Sequence, residues 1–505
     1  MRISAEIASA HMSHSCRDPM TQTVGPGKPG ALILGALVIA CLGHFLYSTL
    51  LILREPFLLS YGEGLALLAA TRLLDGLPLY IDINESPYLY NAYPVMHPIA
   101  SSIFVFLFGR TISALRLLSI ACEVLIGAIV YRIILMESRD RDAALLFASL
   151  LLGLFSVHKF HGLARVDLLE LFFTVFAVHG LLHFRRHISH GHLVLAGASF
   201  VLALLTKPTA AVVLFGCFAY ALLRLRAERK PSVAIIKCSV LSLMVYLLVA
   251  AIIEMRSGNE FLKQTYWYQV LSGVQAGTLH QGRFLRLYWP IVSLAAISFL
   301  ELKRDGLLKV LTLFSVVGWL VASTKRGADM NYSLAPLVLM TVVSGLFMAR
   351  RQEEAPAIRR VRSTPVVLGV GSLIALSVVV RGPYMMPALD EQPRAERAML
   401  NELMRETGGL TLSEEPFFAV LNRKHFVIND SFQLTRLARW GVFNIRPIVR
   451  ACASGEVKRV FASSRLESVP ALRRIFHSRY RVIYRTKEPV DGVRISGKGP
   501  SAARA

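Results

Sequence analysis

The chain is poor in cysteine and poor in acids, and no internal repeat or low-complexity array is visible along its 505 residues. The six cysteines (Cys16, Cys41, Cys122, Cys217, Cys238 and Cys452) show no CxxC or metal-ligand spacing, so neither a metal cluster nor a disulfide framework is expected. Acids number 33 against 56 lysines and arginines, a formal net charge of +23. Such an excess would suit a nucleic-acid partner, but no nucleic-acid motif accompanies it. Much of it lies in loops between apolar segments, where membrane topology explains it. Charge inside those segments is also scarce, Glu123 being the main exception.

Apolar sequence is abundant. Hydrophobic residues make up 54% of the chain and the mean hydropathy is +0.51. Long apolar runs recur throughout, which predicts a polytopic α-helical membrane protein. The expected spans are 31–53, 112–135, 142–158, 166–184, 192–206, 208–223, 236–254, 286–302, 307–323, 332–349 and 364–380, about 11 in all. The stretch 99–109 is too short to cross a core of roughly 30 Å as a helix and is expected to lie at the membrane surface. The first run lacks a small-x-small cleavage site and reads as a retained anchor. Residues 1–30 are expected to be a disordered cytoplasmic N-terminus, and 31–381 the membrane domain with a first outer loop at 54–111. Lysine and arginine loop asymmetry puts the N-terminus in the cytoplasm and residues 382–505 on the periplasmic side. There, short apolar runs at 410–412, 426–428, 457–461 and 480–484 alternate with helical patterns at 415–422, 433–440, 446–454 and 469–476. That alternation predicts a small C-terminal α/β extracytoplasmic domain.

Four loop segments gather polar groups on the expected outer side. The first contains Glu63, Asp82, Tyr93 and His97, and the second runs from His158 to Asp167 and includes Arg165. The third is Thr206-Lys207-Pro208-Thr209, and the fourth is Thr324 to Tyr332 with Lys325, Arg326 and Asn331. A carboxylate there could take a proton from an acceptor, and cations could neutralise a departing phosphate. Taken singly, a lysine or arginine at a membrane end is more often a snorkelling anchor. Asp167 could pair with Arg165 or favour a helix start, and His97 beside Pro98 reads as a packing residue. Glu63, between Gly62 and Gly64, is harder to dismiss, because the glycines allow close approach to a ligand.

The order of these features resembles a bacterial GT-C integral-membrane glycosyltransferase, the type that includes protein O-mannosyltransferases and lipid A aminoarabinose transferases. The likeness covers most of residues 31–349. It rests on Gly62-Glu63-Gly64, the turn Asp75-Gly76-Leu77-Pro78-Leu79-Tyr80, and the stretch Tyr93-Pro94-Val95-Met96-His97-Pro98. It rests also on Arg165-Val166-Asp167, Lys207-Pro208-Thr209 and Asn331-Tyr332. Many relatives have two adjacent acids in the first loop; here Gly62 stands before Glu63.

The resemblance implies sugar transfer from a polyprenyl-phosphate-linked donor to a lipid, glycan or protein acceptor, outside the bacterial inner membrane. It implies Glu63 and Asp167 as the catalytic acids. Arg165 and Lys207, with Tyr93, His97, Lys325, Arg326 and Asn331, would bind substrate. A divalent metal, which some relatives use, is compatible with this reading, although no ligand set in the sequence demands one. Two rival readings are a lipid-linked glycan transporter or flippase and a non-catalytic envelope-assembly protein. Polar groups clustered at one membrane face speak against the transporter, whereas the glycine at position 62 is the best support for the scaffold.

Overall fold

The computed structural model describes residues 28–271, 273, 278–301, 306–325, 328–354, 391–406, 408–414, 416–423, 425, 427–485 and 493–497. Among the described residues the membrane part has helices α1 Lys28–Arg54, α2 Tyr61–Leu74, α3 Met96–Phe108, α4 Ile112–Ser138, α5 Arg141–Ser156 and α6 Val166–His187, followed by α7 His190–Thr206, α8 Ala211–Arg224, α9 Arg229–Arg256, α10 Thr278–Glu301, α11 Gly306–Ala322 and α12 Leu334–Glu354. A broken helical segment over 260–270 follows α9. Every expected span up to 349 falls on one of these helices; the span at 364–380 lies outside the described residues. Six helices among the described residues are long and apolar enough to cross a membrane, and shorter apolar helices accompany them, so the chain is a multi-pass membrane protein.

Helices α4, α5, α6, α7, α8 and α12 supply much of one continuous apolar core. Glycine sets the tightest contact between α6 and α7: a Cβ at Gly180 would lie 2.9 Å from the His192 carbonyl oxygen. Small residues at such crossings let backbones meet where lipid offers no hydrophobic drive. Helix α3 is short, as expected, and turns Ile103, Phe106, Leu107 and Phe108 outward.

The C-terminal part has helices α13 Glu391–Glu406, α14 Pro416–Leu421, α15 Ser431–Arg439, α16 Arg446–Ser454 and α17 Pro470–Arg479, with a single turn at Ser464–Glu467. Its strands are β1 Leu410–Ser413, β2 Val457–Ser463, β3 Arg481–Arg485 and β4 Val493–Gly497, in the order β1-β2-β4-β3. β1 and β2 run parallel, and β4 is antiparallel to both its neighbours. β4 and α13 were not foreseen. Of the strand expected at 426–428, residue 426 lies outside the described residues; on either side of it the His425 carbonyl accepts from the Thr411 N–H at 3.2 Å and the Val427 N–H bonds to the Thr411 carbonyl at 3.0 Å, so the segment runs beside β1. The Val427 carbonyl accepts from the Tyr88 N–H at 2.9 Å. This segment is therefore the seam between the sheet and the first loop. Apolar burial along the seam is extensive: Ile83, Tyr88 and Tyr90 sit in the core of the C-terminal part, and Phe57, Leu67 and Val105 pack with Leu400, Met404 and Phe417.

Candidate active site

The seam closes a cavity of about 750 Å³. α2 and the loop before α3 form one wall, the Lys159–Val166 segment and Lys325–Tyr332 a second, and Asn429–Gln433 with Arg465 a third. Its described lining carries Arg72, Lys159, Arg165, Arg283, Lys325 and Arg465 against the acids Asp329 and Asp430. A basic, half-enclosed cavity at one end of a membrane bundle attracts an anion and strengthens its binding by limiting water.

Glu63 does not line this cavity. Position N3 of α2 turns its carboxylate back toward the helix start, as acids at N3 do. Oε2 accepts from Leu59 N–H at 2.7 Å and Ser60 N–H at 3.2 Å, and Oε1 accepts from Ala164 N–H at 3.0 Å. The Arg116 guanidinium grips both oxygens, Nε at 2.9 Å and Nη2 at 2.8 Å, and neither side chain is exposed to solvent. Arg116 spends its other donors on the carbonyls of Ile52, Glu55 and Phe57. Burial alone would raise the Glu63 carboxyl, but the Arg116 charge and the backbone N–H groups outweigh it and hold it below the usual carboxylate range. A saturated, cavity-averted carboxylate has no lone pair to offer an acceptor. The structure places Glu63 behind the cavity, where it ties α2, α4 and the loop before α6 together. Sequence inspection missed Arg116 because it reads as one more residue of an apolar span.

Gly62 faces the other way and lines the cavity. A Cβ there would lie 3.3 Å from Arg165 Nη1. The guanidinium lies over the Phe160 ring at 4.7 Å, and its Nη1 reaches Ser60 Oγ at 3.4 Å. The glycine thus lets a cation press against the helix start.

Three of the four polar segments converge on Asp167. Its Oδ1 accepts from Lys207 Nζ at 2.7 Å and from Asn331 Nδ2 at 2.7 Å, and its Oδ2 from Arg165 Nε at 3.3 Å. Lys207 also lies 4.2 Å from the centroid of the Tyr332 ring. Burial opposes the ammonium charge, yet the Asp167 carboxylate prevails and raises the Lys207 pKa. Asp167 and Lys207 stand behind the lining, whereas Arg165, Asn331, Tyr93, His97 and Lys325 reach it. Lys325 is bonded to Gln269 Oε1, and burial, with Lys207 and Arg436 close by, brings its ammonium down to about 8. Burial likewise lowers His97 to about 4, which leaves it a neutral hydrogen-bonding group at pH 7. Arg326 lies outside the described residues.

Asp430 was not anticipated as a site residue. It caps α15 through Gln433 N–H at 2.9 Å and accepts from the Tyr61 hydroxyl at 3.1 Å across the seam. Burial raises its carboxyl above the usual range against these hydrogen bonds. Arg465 stacks over the same Tyr61 ring at 4.5 Å. Nothing in the local sequence links residues 61, 430 and 465; only the seam brings them together. Glu123, the mid-span acid, is bonded to His161 Nδ1 at 2.9 Å and to Gly162 N–H at 3.2 Å, so it anchors the loop before α6. For a metal, no group of three or more His, Cys, Asp or Glu is suitably disposed among the described residues.

Comparison with known proteins agrees with this architecture. The chain has the fold of the GT-C membrane glycosyltransferases. It is similar to ArnT of Cupriavidus metallidurans in the apo state, at 14% identity and a TM-score of 0.65, over 94% of this chain and all (100%) of that one. The same protein bound to undecaprenyl phosphate matches at 12% identity and a TM-score of 0.64, over 95% and 100% of the two chains. The Archaeoglobus fulgidus oligosaccharyltransferase tethered to an acceptor peptide matches at 12% identity and a TM-score of 0.55, over 93% of this chain and 74% of that one. The family model for dolichyl-phosphate-mannose-protein mannosyltransferase matches residues 92–254. No curated protein matches in sequence. The family model covers less than half of the chain, and the solved structures show a shared fold.

Proposed function

We propose that this protein transfers a sugar from a polyprenyl-phosphate-linked donor to an acceptor hydroxyl on an envelope lipid, glycan or protein. The reading rests above all on Arg165, a cation that lines the cavity and is held from behind by Asp167. ArnT with undecaprenyl phosphate and the fold shared with it support a polyprenyl-phosphate donor. The donor phosphate would sit against Arg165 and Lys325, whose charge offsets the negative charge that grows on the phosphate oxygen as the sugar leaves. Asp167 and Lys207 act as positioning residues: Asp167 orients Arg165 and Asn331, and Lys207 keeps Asp167 ionised.

The chemistry is a single displacement with inversion. The acceptor oxygen attacks the anomeric carbon, the bond from that carbon to the phosphate oxygen breaks, and its electron pair leaves with polyprenyl phosphate. The hydroxyl proton passes to a carboxylate. Of the two acids on the described lining, Asp430 suits this task better, because Asp329 is ion-paired with Lys159. A base works best when its pKa approaches the operating pH, and burial moves Asp430 in that direction. We further propose that the cavity faces the periplasm and that the C-terminal part shares that side, as the basic loops at the other end support.

Membranes carrying the protein, loaded with a labelled polyprenyl-phosphate sugar, test the reading directly. Donor label is expected to be lost with the wild-type chain and retained with Arg165→Gln. Equal loss from both would remove the assignment. A reporter fused at the C-terminus tests the orientation, and activity in the cytoplasm would overturn it.

A further inference from the structure

A second cavity, of about 600 Å³, lies between α4, α6 and α7. It is at the end of the bundle remote from the first: its α6 residues run from Phe176 to His187, the first of them 9 positions beyond Asp167, roughly 14 Å along the helix. Its titratable lining is Tyr131 and Arg132 from α4, His179, His183 and His187 from α6, and His192 from α7. No carboxylate lines it. The rest is apolar, with Phe176 and Leu195 among it.

The imidazoles crowd one another. The rings of His183 and His192 stack with centroids 3.6 Å apart and planes 13° from parallel, and His187 lies 4.6 Å from His183. Gly180 permits this by bringing the two helices together, and the Ser189 hydroxyl, 2.8 Å from His192 Nδ1, steadies the ring from α7. His183 Nδ1 is buried with no hydrogen-bond partner. Histidines stacked face to face do not converge their nitrogens on one point, so the cluster is not built for a metal. An anion, by contrast, would pair with Arg132 and give the buried His183 Nδ1 a partner. A basic pocket between membrane helices, continued by apolar walls, has the make-up of a lipid headgroup site.

We infer that this cavity binds the phosphate headgroup of an anionic phospholipid from the leaflet opposite the active site, with an acyl chain along Phe176 and Leu195. Arg132 supplies the constant charge, and the imidazoles supply hydrogen-bonding groups beside it. The site is separate from sugar transfer, so its test does not depend on that activity.

The test measures binding of phosphatidylglycerol, phosphatidylcholine and inorganic phosphate to the full chain in detergent, by native mass spectrometry and thermal shift. Phosphatidylglycerol is expected to bind at least fivefold tighter than phosphatidylcholine. Arg132→Gln and His187→Gln change exposed residues; each should abolish the preference and leave lipid-free melting unchanged. Equal binding of the two lipids would overturn the proposal, as would a preference that survives both substitutions. Inorganic phosphate that reproduces the whole stabilisation would overturn the lipid assignment in favour of a free anion.

Discussion

Gly62 and Arg165 are in contact distance by default: a methyl group on the glycine would lie 3.3 Å from the guanidinium. With no carboxylate at position 62, the cation is not neutralised from that side and turns to the cavity. Gly62→Asp should therefore weaken donor binding by about tenfold, near 1.4 kcal/mol, through an added ion pair with Arg165. The measurement is the donor concentration at half-maximal rate; an unchanged value would show that Arg165 does not meet the phosphate.

Glu63→Gln should act on stability. The substitution keeps the shape but leaves the fully buried Arg116 charge without its counter-ion, and breaking such a pair costs about 3–5 kcal/mol. A lowered unfolding temperature in detergent is expected, along with a lower yield of folded protein. Protein that melts like wild type and has lost turnover would restore a catalytic role to Glu63.

Asp167→Asn should lower the turnover rate by about 100-fold, because Arg165 and Lys207 lose the carboxylate that orients them. Asp167→Glu, which keeps the charge, should recover part of it. If both variants retain full turnover, the positioning role fails.

Asp430→Asn should reshape the pH profile. As a base, Asp430 works when ionised, so wild-type activity should fall on acidification through a pKa above the ordinary aspartate value of about 3.9. The asparagine variant should lose that limb together with most of its turnover. A profile with the same acidic limb in both proteins would count against the assignment.

Lys325 predicts the alkaline side. Its ammonium is charged below about 8 and neutral above, so donor affinity should decline as pH rises through that value. Lys325→Arg, permanently charged, should keep its affinity to higher pH; an equal decline would assign the effect to another group.

The bundle was legible in the sequence because a membrane core demands long apolar helices with satisfied backbones, and those appear as unbroken runs. Asp167, Lys207 and Asn331 could also be found, since polar groups at span ends are conspicuous against such runs. The pairing of Glu63 with Arg116 could not, because 53 residues separate them and each alone looks ordinary. β4 at Val493–Gly497 escaped notice for a related reason: its pattern acquires meaning only beside β2 and β3.

The sequence by itself determined a multi-pass helical chain with polar groups gathered at one membrane end, because hydropathy and loop charge act locally. Tertiary structure alone decided which carboxylate faces the cavity. Glu63 and Gly62 are neighbours on α2, yet the helix turns one toward Arg116 and the other toward Arg165. Asp430 reaches the same cavity only because the C-terminal part buries its apolar seam against the first loop. Successive positions on a helix point about 100° apart, and that rotation separates a structural acid from the site beside it.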